Sequence, residues 1–209
     1  MRVSYELGIH SPPGGRVASP ARLRIHGRQD PQRGAVEAFI AAGFARHFGA
    51  EITQFSPLLA SLSDGERILA AAGYRRATDT LFLEAYLDTP VDSRISQLAG
   101  EVVARHAIAE VGQLATRAPR HLGELMNRLS DHLSGNGVQW VAITATRPLR
   151  QVFERFGLRS HELAVANPVG AGIELAQWGR YYEHDPRVIA GSLAINQPRL
   201  IADPMMSTR

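Results

Sequence analysis

The 209-residue sequence predicts an α/β (α+β) fold, in which helices flank a mixed central β-sheet on both faces. Two apolar segments, residues 55–62 and 67–74, lie on either side of a turn at residues 63–65 and predict an antiparallel hairpin. From residue 107 onward, strand-like apolar runs alternate with amphipathic helical patterns. The run at 138–145 is apolar almost throughout, which is typical of a strand buried on both faces.

The first half of the chain predicts one long helix after an irregular start. We interpret residues 1–30 as an irregular N-terminal arm, because residues 11–34 are rich in proline, glycine and arginine. Asp30 then predicts the N-cap of a helix over about residues 32–48, with a proline in its first turn. A short apolar segment at 81–87 predicts a further helical piece.

The second half predicts strands and helices in alternation, with glycine near the end of each helix. In chain order these elements are strand 107–115, a helix with an apolar stripe from Leu122 to Leu133, strand 138–145, a helix that begins after Thr146 and ends near Gly157, and strand 163–166. This order joins the hairpin to later strands through helices, and so it favours one mixed sheet.

Length and composition predict a single domain. A hydrophobic content of 44% is enough for one substantial core, which we assign to residues 31–197, followed by a flexible tail at 198–209. The charged fraction of 21% is typical of a soluble globular protein. No stretch approaches 18 apolar residues and the N-terminus lacks the apolar core of a signal peptide. We therefore expect a cytoplasmic protein without stable membrane insertion.

Several classes of function are disfavoured by what the sequence lacks. All 23 basic residues are arginine, the net charge is only +3, and no basic run is interleaved with aromatics, so we expect no nucleic-acid partner. The absence of cysteine excludes disulfides and a cysteine nucleophile. The eight histidines show no ligand spacing, so we expect no metal. No nucleophile elbow, Walker loop or dinucleotide fingerprint occurs, and we expect no permanently bound cofactor.

Two units of this pattern resemble the GNAT acyltransferases. The first is the strand, loop and helix over residues 107–133, and the second is the buried strand 138–145 with the helix that ends in Phe-Glu-Arg-Phe-Gly-Leu at 153–158. In that fold the pantetheine of an acyl thioester lies beside the first strand. The pyrophosphate of coenzyme A meets the N-terminus of the helix, where free N–H groups and the helix dipole attract phosphate.

More specifically, the chain resembles the thermostable hemolysin family, a group of bacterial proteins related to GNAT enzymes. The resemblance spans about residues 58–192 and is carried by the segments GYR (73–75), LFLEAYLD (81–88), EVGQLA (110–115), WVAITAT (140–146), LR (149–150), FERFGL (153–158), WGRYY (178–182) and residues 186–191. The family usually has asparagine where this chain has Gln113. The strand around Glu110 is also similar to that of acyl-homoserine-lactone synthases and N-acyl amino acid synthases, which take long acyl chains, often from acyl carrier protein.

The resemblance implies an N-acyltransferase. Its donor would be the thioester of acyl carrier protein or of coenzyme A, with acyl-CoA or acyl-phosphopantetheine as co-substrate. Its acceptor would be an amino acid or a small amine, and the acyl group a long chain. The loop at 116–123 is poor in glycine but holds Arg117 and Arg120, which favours a carrier-protein thioester over acetyl-coenzyme A. A homodimer is compatible with this interpretation.

The same resemblance implies the residues of the site. Glu110 would accept the proton of the amine, Glu84 would hold the ammonium group of the acceptor, and Tyr181 would protonate the leaving thiolate. The donor would lie against Val111, Gly112, Gln113, Leu114, Ala115, Arg117 and Arg120, and the acceptor against Arg75, Tyr86, Thr144, Arg150 and Trp178. The N–H that follows Gly112 would stabilise the oxyanion.

Structural alternatives remain open for these residues. Glu110 could pair with an arginine such as Arg105 or point to solvent, and Glu84 could face water from an amphipathic turn. Arg150 could be a salt-bridge partner, Thr144 could satisfy a strand position, and Gly112 could serve packing alone. Trp178 and Tyr181 could be core and rim aromatics. Two other functions also remain open. The family name points to a membrane-active hemolysin, and the substitution at Gln113 together with the missing glycines fits a catalytically inactive module that binds acyl thioesters.

Overall fold

The computed structural model describes residues 20–65, 67–169, 171 and 173–194. Within these residues, seven strands form one sheet in the order β1-β2-β3-β4-β5-β7-β6, and β4–β5 is the parallel pair. The strands are β1 (Arg22–His26), β2 (Leu58–Asp64), β3 (Arg67–Arg76), β4 (Ile108–Thr116), β5 (Trp140–Ala145), β6 (His161–Val165) and β7 (Arg187–Ser192). The helices are α1 (Arg33–Phe48), α2 (Val91–Ala99), α3 (Pro119–Gly135), α4 (Arg147–Arg155) and α5 (Leu175–Trp178), with 3₁₀ turns at Leu83–Tyr86, Arg105–Ala107 and Tyr181–His184.

Helices cover both faces of this mixed sheet, which confirms the predicted α/β architecture. On one face, α3 and α4 pack on alternate strand residues, among them Ala109, Val111 and Ile143. On the other face, α1 and α2 pack in two separate apolar clusters. Ile108 belongs to the α2 cluster, as the alternation of side chains along β4 requires. Glu110 is two residues further along β4, so it points to the α1/α2 face as well.

The sheet opens between β4 and β5. The two strands pair at only three positions, from Ile108 with Trp140 to Glu110 with Ala142. Beyond Glu110, β4 continues along β3 and β5 continues along β7, and the two no longer pair. The facing backbone groups of the two strands are therefore not joined in a ladder at this opening, and they are available to a bound molecule.

A β-bulge in β4 lies beside this opening. Gly73 of β3 pairs with Gly112, whereas Ala71 pairs with Ala115, so β4 holds one extra residue between these positions. Gln113 takes a φ of 52°, in the left-handed region that residues other than glycine rarely adopt. The extra residue reverses the alternation of side chains. Leu114 consequently packs on the α3 face and Ala115 on the α1 face.

Several elements differ from the sequence prediction, and β7 and α5 are not predicted at all. Within the predicted irregular arm, residues 22–26 form β1, because Leu23 and Ile25 alternate with exposed arginines and pack on the core. The second strand begins at Leu58 and not at residue 55, since Pro57 cannot donate to a ladder. Helix α2 (Val91–Ala99) was not predicted. Residues 1–19 and 195–209 lie outside the described residues, so the rest of the arm and the tail at 198–209 stay predictions.

The long predicted helix is confirmed, although its first turn differs in detail. Helix α1 begins at Arg33, and its N-cap is Gln32. Asp30 was predicted as the N-cap, but its carboxylate accepts the N–H of Gln32 at 2.8 Å and so closes a turn just before the helix. Thr146 stands at the N-cap of α4, as predicted, without a side-chain capping bond.

Candidate active site

A pocket of about 770 Å³ lies on the α1/α2 face, where the sheet opens. Its floor is formed by β4 and β5 through Glu110, Gly112 and Thr144. One wall is the loop at 51–57, which joins α1 to β2, and the opposite wall includes residues of the segment 173–181. The pocket therefore occupies the gap that the two apolar clusters of this face leave between them.

Glu110 is the buried carboxylate of this pocket, with an exposed fraction of 8%. Its two oxygens accept the backbone N–H groups of Phe82 at 2.8 Å and Leu83 at 2.9 Å. Arg75 Nε lies 3.6 Å from the carboxylate and forms an ion pair with it, without a hydrogen bond. Burial nevertheless raises the pKa of the Glu110 carboxyl above its ordinary value, because desolvation outweighs these partners. A raised pKa suits a group that exchanges protons near neutral pH.

Tyr181 and Thr144 meet across the pocket floor. The Tyr181 hydroxyl donates to the carbonyl oxygen of Thr144 at 3.1 Å, and burial raises the pKa of this phenol. The phenol therefore stays protonated. The hydroxyl of Thr144 is buried at the same place without a hydrogen-bond partner among the described residues. An unsatisfied buried hydroxyl is costly, so it favours a ligand at this position.

Gln113 connects the bulge of β4 to the loop wall. Its side-chain oxygen accepts the N–H of Ser56 at 3.0 Å, and its side-chain nitrogen donates to the carbonyl of Gln54 at 2.7 Å. A Cβ on Gly73 would lie only 2.6 Å from the Gln113 amide oxygen, so glycine is needed there for the close approach. The amide therefore holds the loop 51–57 in place, a role for which the length of glutamine is sufficient.

The two walls of the pocket are joined to each other by backbone hydrogen bonds. The N–H of Glu51 donates to the carbonyl of Gln177 at 2.7 Å, and the N–H of Arg180 donates to that of Phe48 at 2.8 Å. Gly179 makes this approach possible. It has a φ of 51°, and a Cβ there would lie 2.2 Å from the Phe48 carbonyl oxygen. The walls therefore form one continuous rim around the pocket.

Comparison with known proteins identifies the family of the chain. Residues 26–196 match the family described as thermostable hemolysin, which is most of the sequence. The chain belongs to the thermostable hemolysin family. No curated protein matches its sequence.

Solved structures show that this thermostable hemolysin family member has a GNAT-like fold. The acyl-homoserine-lactone synthase LasI superposes with a TM-score of 0.58 at 12% identity, over 84% of this chain and 91% of that one. The CoA-dependent acyl-homoserine-lactone synthase MesI gives 0.53 at 14% identity, over 84% and 92%. FeeM, an N-acyl amino acid synthase from uncultured soil microbes, gives 0.51 at 12% identity, over 82% and 91%.

The structure of this family member brings most of the predicted site residues together. The pocket is lined by Arg75, Tyr86, Glu110, Val111, Gly112, Gln113, Thr144, Trp178 and Tyr181. The pocket lining does not include Glu84, Leu114, Ala115, Arg117, Arg120 or Arg150. Leu114 and Ala115 are turned into the two cores by the bulge, as described above.

Arg150 does not line the pocket, and its guanidinium instead makes hydrogen bonds that hold parts of the fold together. Its guanidinium donates to the Asp185 carboxylate at 2.8 Å, to the Asp185 carbonyl at 2.6 Å and to the Ala145 carbonyl at 2.8 Å. These bonds tie the start of α4 to the residues that precede β7. Arg150 thus follows the salt-bridge alternative, and we do not carry it forward as an acceptor clamp.

Arg117 and Arg120 lie at the start of α3, away from the pocket lining. Arg117 donates to the Ile68 carbonyl at 2.7 Å, and its guanidinium lies 5.3 Å from the ring centre of Phe39. Both arginines are exposed. Their position beside a helix N-terminus is suitable for a phosphate, and a contact with the donor phosphate stays a prediction.

Glu84 likewise does not line the pocket, and its carboxylate binds neighbouring parts of the fold. Its carboxylate accepts from the Arg105 guanidinium at 2.6 and 3.0 Å and from the N–H of Val91, the first residue of α2, at 3.1 Å. The hydrogen bonds from Arg105 hold the pKa of Glu84 below its usual range. Arg105 was an expected partner of Glu110, and the fold places it on Glu84. We therefore interpret Glu84 as a support for α2.

We expect Glu84→Gln to lower the free energy of unfolding by about 1–2 kcal/mol at neutral pH, because charged hydrogen bonds to Arg105 are lost. The pKa of Glu84 is depressed in the folded protein, so its contribution is present above the unfolded pKa and disappears as pH falls through the folded value. Urea unfolding at neutral and acidic pH measures this. Equal stability of the variant and the wild type at neutral pH would show that the pair contributes nothing.

Several pocket residues had no signal in the sequence. The loop 51–57 and residues Arg28, Asp79 and Glu174 line the pocket but lie in irregular segments or between elements, and Gln177 lies in the short helix α5, which was not predicted. Pro57 could have indicated that the chain before β2 is a loop. Phe82, an aromatic residue of the rim, lies in a segment that carries the family resemblance, but the resemblance implies no role for it in the site.

A second, apolar cavity lies on the opposite face of the sheet, at the same opening. It has a volume of about 60 Å³, and its lining includes residues of α3, β5, β7 and α4, among them Leu129, Ile143, Ile189 and Phe153. Val111 lines both this cavity and the large pocket. The two spaces therefore approach each other through the gap between β4 and β5.

Among the described residues, no group of three or more histidine, aspartate or glutamate side chains is placed to hold a metal ion. In the same part of the chain, no helix has the length and apolar character needed to span a membrane.

Proposed function

We propose that this protein is an N-acyltransferase that moves a long-chain acyl group from a thioester of acyl carrier protein or coenzyme A to an amino acid or small amine. The observation that carries the proposal is Glu110. It is a buried carboxylate of raised pKa, and it lines a large pocket at the point where β4 and β5 separate. The GNAT-like fold of the family member is consistent with this chemistry, although fold alone does not establish function.

Acyl transfer to an amine requires few groups, and the pocket offers candidates for each. The amine nitrogen attacks the thioester carbonyl carbon, its proton passes to Glu110, and the C–S bond breaks as the amide forms. The N–H of Gln113, at the bulge, is our candidate for the oxyanion donor. Tyr181, kept protonated by burial, is our candidate to return a proton to the thiolate.

The two spaces at the opening suggest how donor and acceptor share the site. Val111 lines both, so a thioester held at the opening would have the acceptor pocket on one face and the apolar cavity on the other. An acyl chain directed into that cavity would meet Leu129 and Phe153 of the helices. Met126, a flexible side chain, also lines it and can move to admit a longer chain. These contacts support an apolar acyl group longer than acetyl.

Mass spectrometry of lipid extracts tests the proposal in cells. We expect cells that express the wild-type chain to accumulate an N-acyl product that is missing from cells expressing Glu110→Gln at the same level. Glu124→Gln, an exposed change on α3, serves as the matched control and should retain the product. Identical lipid profiles for the wild type and Glu110→Gln would count against the enzyme. Lysis of protein-free liposomes by the purified protein would favour a membrane-active hemolysin instead.

A further inference from the structure

The acceptor pocket is more acidic than the rest of the molecule. Its lining holds four carboxylates, those of Glu51, Asp79, Glu110 and Glu174, against the two arginines Arg28 and Arg75. This excess stands out in a chain whose net charge is +3. Negative charge focused in a pocket attracts positively charged small molecules.

Most of this negative charge is not used within the protein. Arg75 is the arginine that faces Glu110, at 3.6 Å, and it also donates to the Thr80 carbonyl. Glu51, Asp79 and Glu174 have no arginine or histidine nitrogen within 4 Å among the residues that the structure describes. Glu174 accepts a hydrogen bond from the neutral side chain of Gln177 at 2.8 Å. None of the three rim carboxylates thus has a cationic partner in this part of the chain, and their negative charge is available to a ligand.

An aromatic wall lines the same pocket as these carboxylates. Phe82, Tyr86 and Trp178 line the pocket, with ring centres 6.0 Å apart for Phe82–Tyr86 and 5.7 Å for Phe82–Trp178. Phe82 is 41% exposed, although large apolar side chains are usually covered. The aromatic wall adjoins Glu110, because the Glu110 carboxylate accepts the backbone N–H of Phe82. Aromatic faces combined with carboxylates are the usual recognition site of an organic cation.

The floor of the pocket gives an independent sign of a polar ligand. The Thr144 hydroxyl is buried there without a partner among the described residues, and it is one of the few side-chain atoms in that situation. A hydroxyl can accept a hydrogen bond from a bound N–H group. Thr144 lines the same pocket as Glu110, and its carbonyl accepts the Tyr181 hydroxyl, so its own hydroxyl could bind the reacting amine.

We propose that the acceptor is an organic cation with a second positive centre besides the amine that reacts, for example a diamine, a polyamine or a basic amino acid. This inference rests on the proposed function. The reacting amine must lose its charge at Glu110 before it attacks. It therefore cannot neutralise the negative charge of the rim carboxylates. The second centre stays charged and binds between the rim carboxylates and the aromatic wall. The product carries both the acyl chain and that charge. The donor leaves as the free thiol, which takes up one proton of the ammonium group, and the second proton is released to solvent.

Calorimetric titration of the purified full chain, without any acyl donor, tests the inference with ligand pairs of matched size. The pairs are 1,4-diaminobutane with 1-aminobutane, and lysine with norleucine. We expect the member with the second charge to bind at least about tenfold more tightly at low salt, and added salt to reduce the difference. In the double variant Glu51→Gln, Glu174→Gln we expect the preference to disappear. Glu124→Gln, which removes one charge from α3, should keep it.

Each outcome decides one of the two proposals. Equal binding within both pairs, or an undiminished preference in the double variant, would overturn the second-charge inference, and acyl transfer to simple amines would then leave the proposed function intact. Tight, carboxylate-dependent binding of the diamine without acylation from any thioester would support the cation site and reject the acyltransferase.

Discussion

Replacing Glu110 by glutamine lowers kcat for acyl transfer by about 10²- to 10⁴-fold, the range expected when a positioned proton acceptor is lost. Glutamine has nearly the same shape and can still accept an N–H bond from Phe82 or Leu83, so the pocket should persist. It cannot accept a proton from the amine. Steady-state kinetics of Glu110→Gln beside Glu124→Gln, with circular dichroism of both proteins, measures this effect.

The pH dependence separates a proton acceptor from a purely structural carboxylate. Burial raises the pKa of Glu110, and its protonated form cannot accept a proton, so wild-type kcat should fall as pH decreases through that raised value. The residual activity of Glu110→Gln should lack this acidic limb. If the carboxylate only seats Phe82 and Leu83, the variant would show a higher KM with an unchanged acidic limb, and Glu110 would not be the base.

Gly179→Ala should lower the free energy of unfolding by about 2–4 kcal/mol, which combines the cost of a positive φ with a backbone collision. The added methyl would lie 2.2 Å from the Phe48 carbonyl oxygen and 2.8 Å from the Gly49 backbone. The collision would separate the two walls of the pocket and break the bond from Arg180 to Phe48. We therefore expect weaker acceptor binding as well as lower stability.

Gly100→Ala is the matched control for this substitution. Gly100 also has a positive φ, of 71°, but a Cβ there would meet nothing within 4 Å. We expect it to cost only about 1 kcal/mol, the penalty of the backbone conformation alone. Urea unfolding of both variants isolates the collision as the difference. Equal losses for the two variants would mean that the walls are not held together at Gly179.

The sequence predicts well those elements whose side-chain pattern can be recognised without knowledge of the strands or helices that pack beside them. Helix α3 has an apolar stripe from Leu122 to Leu133, and β5 is apolar almost throughout, so each identifies itself without its neighbours. Strand β1 was missed because its exposed positions are arginines within a region rich in proline and glycine. Its strand character depends on pairing with β2, which lies more than thirty residues away.

The site was predictable where it follows β4 and unpredictable where it depends on loops. The segment from Glu110 to Gln113 was identified from the resemblance, and it forms the floor and the bulge of the pocket. The walls are irregular, and long-range bonds such as those from Gln113 to Gln54 and Ser56 hold them. No local pattern encodes such contacts, so the acidic and aromatic character of the rim emerged only from the fold.

The two glutamates illustrate the same limit at the level of single side chains. Glu84 and Glu110 both lie among apolar neighbours in the sequence, and both were assigned to catalysis. Arg105 could neutralise either one, and the choice depends on how the 3₁₀ turn at Arg105–Ala107 is placed against Leu83–Tyr86. The fold pairs Arg105 with Glu84, and Glu110 is left with backbone N–H groups and a more distant arginine.

We infer that Glu110 and the backbone at the opening between β4 and β5 together catalyse the transfer of an acyl group from a thioester to an amine. Its most direct measurement uses the purified protein with a long-chain acyl-CoA or acyl carrier protein thioester and an amine, and it quantifies free thiol and amide in the same reaction. We expect amide and thiol to form in equal amounts, only when the amine is present, and to be nearly abolished by Glu110→Gln. Thiol release without amide, or no release with either donor, would contradict the account.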